Sequence, residues 1–133
     1  MSASFEDLEV WQKSCRLSVD IYQLLKNCRD YGFRDQMCRA SVSIASNIAE
    51  GSERGTDCEF VRFLNIAKGS AAELRTQLYI AVEIGVIARD NFVELLKRIK
   101  SVSQMLQALI NSIKGSSKTV NGKRPTVDVI TTR

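Results

Sequence analysis

The sequence predicts an all-α protein, an antiparallel up-down-up-down four-helix bundle occupying residues 1–115. Three observations lead there. Apolar residues recur at helical spacing through four long segments, and glycine- and serine-bearing turns separate those segments. Nothing alternates with the period of two that a half-buried strand requires. At 133 residues the chain suits one domain with a proper core.

The first helix is expected from about Asp7 to Asn27. Ser4 and Asp7 form a capping-box-like pair that places an acid at the positive helix end. Two apolar stripes run along this helix, one through Leu8, Trp11, Cys15, Ser18, Tyr22 and Leu25, the other through Val10, Leu17, Ile21, Leu24 and Cys28. Together they exceed the roughly 100° face that a bundle helix buries. The excess either widens the core contact or faces another subunit.

The second helix follows the turn Asp30-Tyr31-Gly32 and is expected from Phe33 to Glu53, with Met37, Ser41, Ile44 and Ile48 on its seam. Gly51 and the run to Gly55 signal its end. Thr56 and Glu59 read as a capping box opening the third helix. Phe60, Leu64, Ala67, Ala71, Leu74, Leu78 and Ala81 then repeat to Ile84, with Gly85 as terminator. Gly69 lies mid-helix, where it costs about 1 kcal/mol relative to alanine; a close backbone crossing would explain it. The fourth helix is expected from Asp90 to Lys114, carrying Phe92, Leu95, Ile99, Val102, Leu106, Leu109 and Ile113, with Gly115 as C-cap. Ala88 leaves its first turn without a side-chain cap.

Segments Ser41–Gly51 and Glu59–Ser70 are crowded with alanine, serine, glycine and asparagine where an amphipathic helix would carry leucine. Small side chains let backbones approach closely, within one chain or between chains. Ser41, Asn47, Ser70 and Gln77 are expected to fix register through hydrogen bonds.

Composition excludes much chemistry. Histidine is absent, which removes His-based triads, His-ligated zinc and His-containing di-iron sites. Cys15, Cys28, Cys38 and Cys58 form no CxxC pair and read as small apolar side chains in a reducing compartment. No apolar run approaches the ~20 residues of a membrane span, and no signal-peptide pattern opens the chain. A cytoplasmic protein that engages no membrane is expected. No catalytic residue, metal site or cofactor is expected. An enzyme would have to use Glu50, Glu53, Glu59 or Glu73 on a divalent cation, yet carboxylates near helix ends usually cap or are solvated.

Charge is localised. Residues 1–113 are balanced, and the whole excess of +4 lies in residues 114–133. Residues 116–133 are polar, carry the only proline and read as a basic, flexible C-terminal tail.

Phe5, Leu8, Val10-Trp11, Tyr22, Tyr31-Gly32, Gln36, Arg39-Ala40, Ser43-Ile44, Asn47 through Gly51, Glu59-Phe60, Phe63-Leu64, Ile66-Ala67, Gly69-Ser70, Glu73-Leu74 and Thr76 through Leu78 give the chain a family likeness. Over residues 5–113 it resembles the bacterial four-helix-bundle family encoded in 23S rRNA intervening sequences, also labelled ribosomal-protein-like. The resemblance implies an antiparallel bundle assembled as a homopentameric ring, without a known enzyme activity. A related bundle, the accessory protein of diversity-generating retroelements, is similar in forming a basic pentamer that engages nucleic acid and a reverse transcriptase. This sequence departs from the family at helix 2, where Cys38 precedes Arg39 in place of a second arginine.

The expected function is a non-catalytic homo-oligomeric accessory or scaffold protein binding structured RNA or DNA. Arg34, Arg39, Arg54 and Arg62, with Lys118, Lys123 and Arg124 of the tail, would carry the contacts. Trp11, Ser43, Asn47, Gly69 and Ser70 are expected at the oligomer interface. The alternative is a protein-interaction module without direct nucleic-acid binding.

Overall fold

A computed structural model describes residues 4–120, with side chains through Ser116. Four helices follow a short 3-10 turn at Phe5–Asp7: α1 (Glu9–Leu24), α2 (Tyr31–Glu53), α3 (Asp57–Glu83) and α4 (Arg89–Val120). Each packs against two neighbours, in the ring α1–α2–α3–α4–α1, and no strand occurs among the described residues. The α2–α3 contact is the most extensive and the α1–α4 contact the least. The expected all-α bundle is the observed one.

Leu17, Ile21 and Leu25 from the first segment meet Met37, Ile44 and Ile48 of α2, Leu64, Leu74 and Leu78 of α3, and Ile99, Leu106 and Ile110 of α4, all fully buried. Burying a side chain of this size is worth roughly 1.5–3 kcal/mol. In α4 the seam shifts after Leu106, so that Ile110 is buried while Leu109 and Ile113 are half-buried. Val19, Tyr22 and Leu24 remain exposed, so the core does not absorb the apolar excess of α1.

Helix ends differ in detail from the sequence reading. Ser4 and Asp7 do form a capping box, but on the 3-10 turn; α1 itself starts at Glu9 without a side-chain cap. Asp30 caps α2, its carboxylate accepting from Phe33 N at 3.2 Å, and this starts the helix at Tyr31. Thr56 accepts from Glu59 N at 3.2 Å, while the Glu59 carboxylate turns to Arg62 and Arg54, leaving half of the expected box. Gly85, at φ +80°, ends α3 in a Schellman arrangement: Val86 N donates to Ala81 O at 2.8 Å and Gly85 N to Val82 O at 3.3 Å. Gly115 does not end α4, which continues to Val120. At 32 residues α4 is twice the length of the 16-residue α1. The remainder of the tail, with Lys123 and Arg124, lies outside the described residues, as does the Lys118 side chain.

The seam serines Ser41 and Ser70 act as expected, whereas Asn47 bonds only within α2. Ser18 Oγ and Ser41 Oγ lie 2.9 Å apart across α1 and α2, and Ser41 also donates to Cys38 O at 2.8 Å. Ser43 and Ser70 pair at 2.9 Å across α2 and α3, and Asn47 Nδ2 donates to Ser43 O at 2.8 Å and Oγ at 3.0 Å. Gln77 differs: it is 5% exposed, yet its Oε1 has no hydrogen-bond partner.

The close backbone approach occurs at Gly51, not Gly69. A Cβ at Gly51 would sit 2.6 Å from Phe63 Cβ and 3.3 Å from the Phe60 carbonyl oxygen, whereas Gly69 has open space. Gly51→Ala should therefore lower unfolding free energy by about 1–3 kcal/mol through overpacking. Gly69→Ala should raise it by about 1 kcal/mol. Urea denaturation of both variants checks the pair, and the opposite order would misplace the crossing.

Candidate functional site

The α1–α2 hairpin brings a mixed basic and aromatic groove together. Antiparallel packing, pinned by Ser18 and Ser41, sets Tyr22 and Lys26 of the first segment beside the start of α2. The groove holds about 390 Å³ and is lined by Tyr22, Lys26, Arg34, Asp35, Cys38, Arg39 and Val42. Arg34 reaches Asp35 at a long 3.4 Å and lies 4.9 Å above the Tyr31 ring. Among the described residues Lys26 and Arg39 form no ion pair. Burial raises the Cys38 thiol pKa above its ordinary value, with Arg34 opposing that shift. The thiol is therefore a protonated wall at neutral pH.

Arg54 and Arg62 lie elsewhere. Counting from Arg34 to Arg54, roughly 1.5 Å per residue separates them by about 30 Å along α2. There both guanidiniums cover the Phe63 ring, at 4.8 and 4.6 Å. Arg54 pairs with Glu50 at 2.9 Å and Arg62 with Glu59 at 3.3 Å. These arginines brace the α2–α3 turn around the Gly51–Phe63 contact. The four helix arginines expected to act together are thus two clusters, one open and one self-neutralised.

Sequence reasoning placed Tyr22 on an apolar stripe and passed over Lys26. Their i,i+4 spacing, facing Arg34 and Arg39 across a short antiparallel turn, was the available signal. Glu50 and Glu59 are engaged by arginines, and among the described residues no group of three or more Cys, Asp or Glu is arranged to hold a metal.

Two further surfaces matter. An open apolar groove between α1 and α2, lined by Phe5, Trp11, Cys15, Val19, Val42 and Ala49, adjoins the basic one through Val42. Trp11 stands edge-on to Phe5 at 5.3 Å. Ser43, Asn47 and Ser70 are satisfied within the chain, and Gly69 is exposed. On the α1–α4 side, Asp20 bonds Arg16 at 2.8 Å and Arg98 at 2.9 Å. The Arg16 hydrogen bond lowers the Asp20 pKa, Arg98 assists and partial burial opposes. Its stabilising contribution is present above the usual carboxylate range and is lost as pH falls through the lowered value. At 35% side-chain exposure that contribution is small.

The family description 23S rRNA-intervening sequence protein matches residues 6–108. The chain belongs to this family. Within the 23S rRNA-intervening sequence proteins, a solved structure from Bacteroides thetaiotaomicron gives a fold comparison. It is a protein of unknown function from the S23 ribosomal protein family, 25% identical, with a TM-score of 0.72. The match covers 76% of this chain and 97% of that one. No curated protein matches this chain. Among the described residues of this 23S rRNA-intervening sequence protein, no helix is long and apolar enough to cross a membrane.

Thiol labelling checks the packing around the groove. Cys58 is exposed and Cys38 is buried with a raised pKa. Under native conditions iodoacetamide should modify Cys58 first and Cys38 last, as followed by mass spectrometry. Equal rates would mean that the α1–α2 edge opens readily.

Proposed function

We propose that this protein is a non-catalytic, homo-oligomeric scaffold that binds structured nucleic acid through the α1–α2 basic groove. The carrying observation is the convergence of Lys26, Arg34 and Arg39 on one groove, Lys26 and Arg39 unpaired among the described residues. At the other end of α2, Arg54 and Arg62 are held by neighbouring glutamates. Three cations in reach of one backbone suit phosphate contacts, which give affinity without sequence information.

Self-association follows from the apolar groove beside it. Val19 and Val42 are exposed there at 45% and 41%, and a second copy would cover them. The family resemblance favours a pentameric ring. A ring would present several basic grooves to one nucleic acid, so modest individual contacts would combine through effective concentration. The basic tail residues would add to that field.

A second reading takes the apolar groove as the site for a different protein, such as a reverse transcriptase, with nucleic acid held by that partner. Light scattering coupled to gel filtration separates the two. Val19→Asp with Val42→Asp should convert an oligomer to a monomer; a wild-type monomer at high concentration favours the second reading.

Binding to duplex DNA over a salt series tests the main proposal. Each lost phosphate contact should flatten the log–log slope by about 0.9. Lys26→Ala/Arg34→Ala/Arg39→Ala should therefore flatten it by roughly 2.7, while Arg54→Ala should leave it nearly unchanged. Absence of binding to duplex DNA and duplex RNA at low salt, or an unchanged slope in the triple variant, refutes the groove as the interface.

A further inference from the structure

Resting on the nucleic-acid reading, we propose that the α1–α2 groove accepts one unpaired nucleotide of a structured RNA, its base against Tyr22 and its phosphate among Lys26, Arg34 and Arg39. Tyr22 carries the inference. It is 50% exposed, and among the described residues its ring has no aromatic or cationic partner. The other two tyrosines are occupied: Arg34 covers Tyr31, and Tyr79 stands edge-on to Phe92 at 5.1 Å. An unpartnered ring beside two unpaired cations offers the two elements that single-stranded recognition combines, a stacking face and a charged track.

Size and chemistry agree. The groove volume of about 390 Å³ lies in the range of small-ligand sites, roughly 300–1,000 Å³. The Asp35 carboxylate lines the groove and can accept from a base N–H. Arg34, held over Tyr31, presents its guanidinium with fewer rotamers to lose. A base inside a continuous A-form helix keeps its faces in the stack, beyond reach of Tyr22. Bulged and looped nucleotides expose theirs. The groove therefore distinguishes interrupted from continuous helices.

The test compares a blunt RNA duplex with the same duplex carrying one bulged nucleotide, by fluorescence anisotropy on the full chain. The bulged RNA should bind about tenfold more tightly, the scale of one base stacked on an aromatic side chain. Tyr22→Ala should abolish that preference with affinity for the blunt duplex retained, Tyr22→Phe should keep the preference, and Arg39→Ala should weaken both RNAs. Equal wild-type affinities, or a preference that survives Tyr22→Ala, overturns the inference and leaves the phosphate-binding groove standing. Binding to neither RNA overturns both.

Discussion

The α2–α3 contact sets the rest of the molecule. Gly51 lets α2 reach the Phe63 Cβ, and Ser43 and Ser70 meet across the same interface further along. Alanines at 40, 45, 67 and 71 line the cores of these helices, so the two rods lie close without large side chains between them. Close approach has a chemical cost, because hydroxyls and amides are buried with it. Ser43 and Ser70 offset that cost by bonding each other across the helices, which only one register allows, and Asn47 bonds Ser43 within α2. A slip of one residue would part the serines and set Phe63 against a Cβ instead of a glycine.

With that pair fixed, the outer helices are placed by weaker devices. Ser18 and Ser41 hold α1 to α2 through one buried hydrogen bond, and Asp20 with Arg98 ties α1 to α4 at the surface. Lys68 donates to Gln107, which in turn donates to Asn111, joining α3 and α4. The α1–α2 pair leaves apolar side chains uncovered, among them Val19, Tyr22 and Val42. Val42 lines one groove with Val19 and another with Tyr22, so the three share the outer side of the α1–α2 pair.

Periodicity made the bundle legible, because four amphipathic segments and their glycine stops are local signals. Gly85 shows this well: its position after Ile84 matched the left-handed residue of a Schellman motif. Gly51 and Gly69 show the limit. Both are glycines in small-residue helices, and only the packing partner distinguishes a backbone crossing from an open face. Gly115 fails for a related reason, since one glycine costs a helix about 1 kcal/mol and does not by itself end one. At the candidate site, Arg34 and Arg39 were visible as charges, whereas the separation from Arg54 and Arg62 needed the rod geometry. Tyr22 was visible only as a member of one of two apolar stripes, and which of their residues stay uncovered needed the packing of α1 against its neighbours.

The two ends of α2 show how similar residues acquire different uses. At the α3 end, Arg54 and Arg62 lie near Glu50 and Glu59 and over Phe63, so their charge is spent on closing a turn. At the α1 end, Asp35 is the only acid among the described residues that line the groove, and it engages Arg34 at a long distance. The sequence is neutral through residue 113, yet neutrality over the whole does not require neutrality at each surface. Local pairing decides which cations present an open field to a ligand. By that criterion Lys26, Arg34 and Arg39 leave the α1 end of α2 with an open positive field, whereas Arg54 and Arg62 leave the α3 end closed.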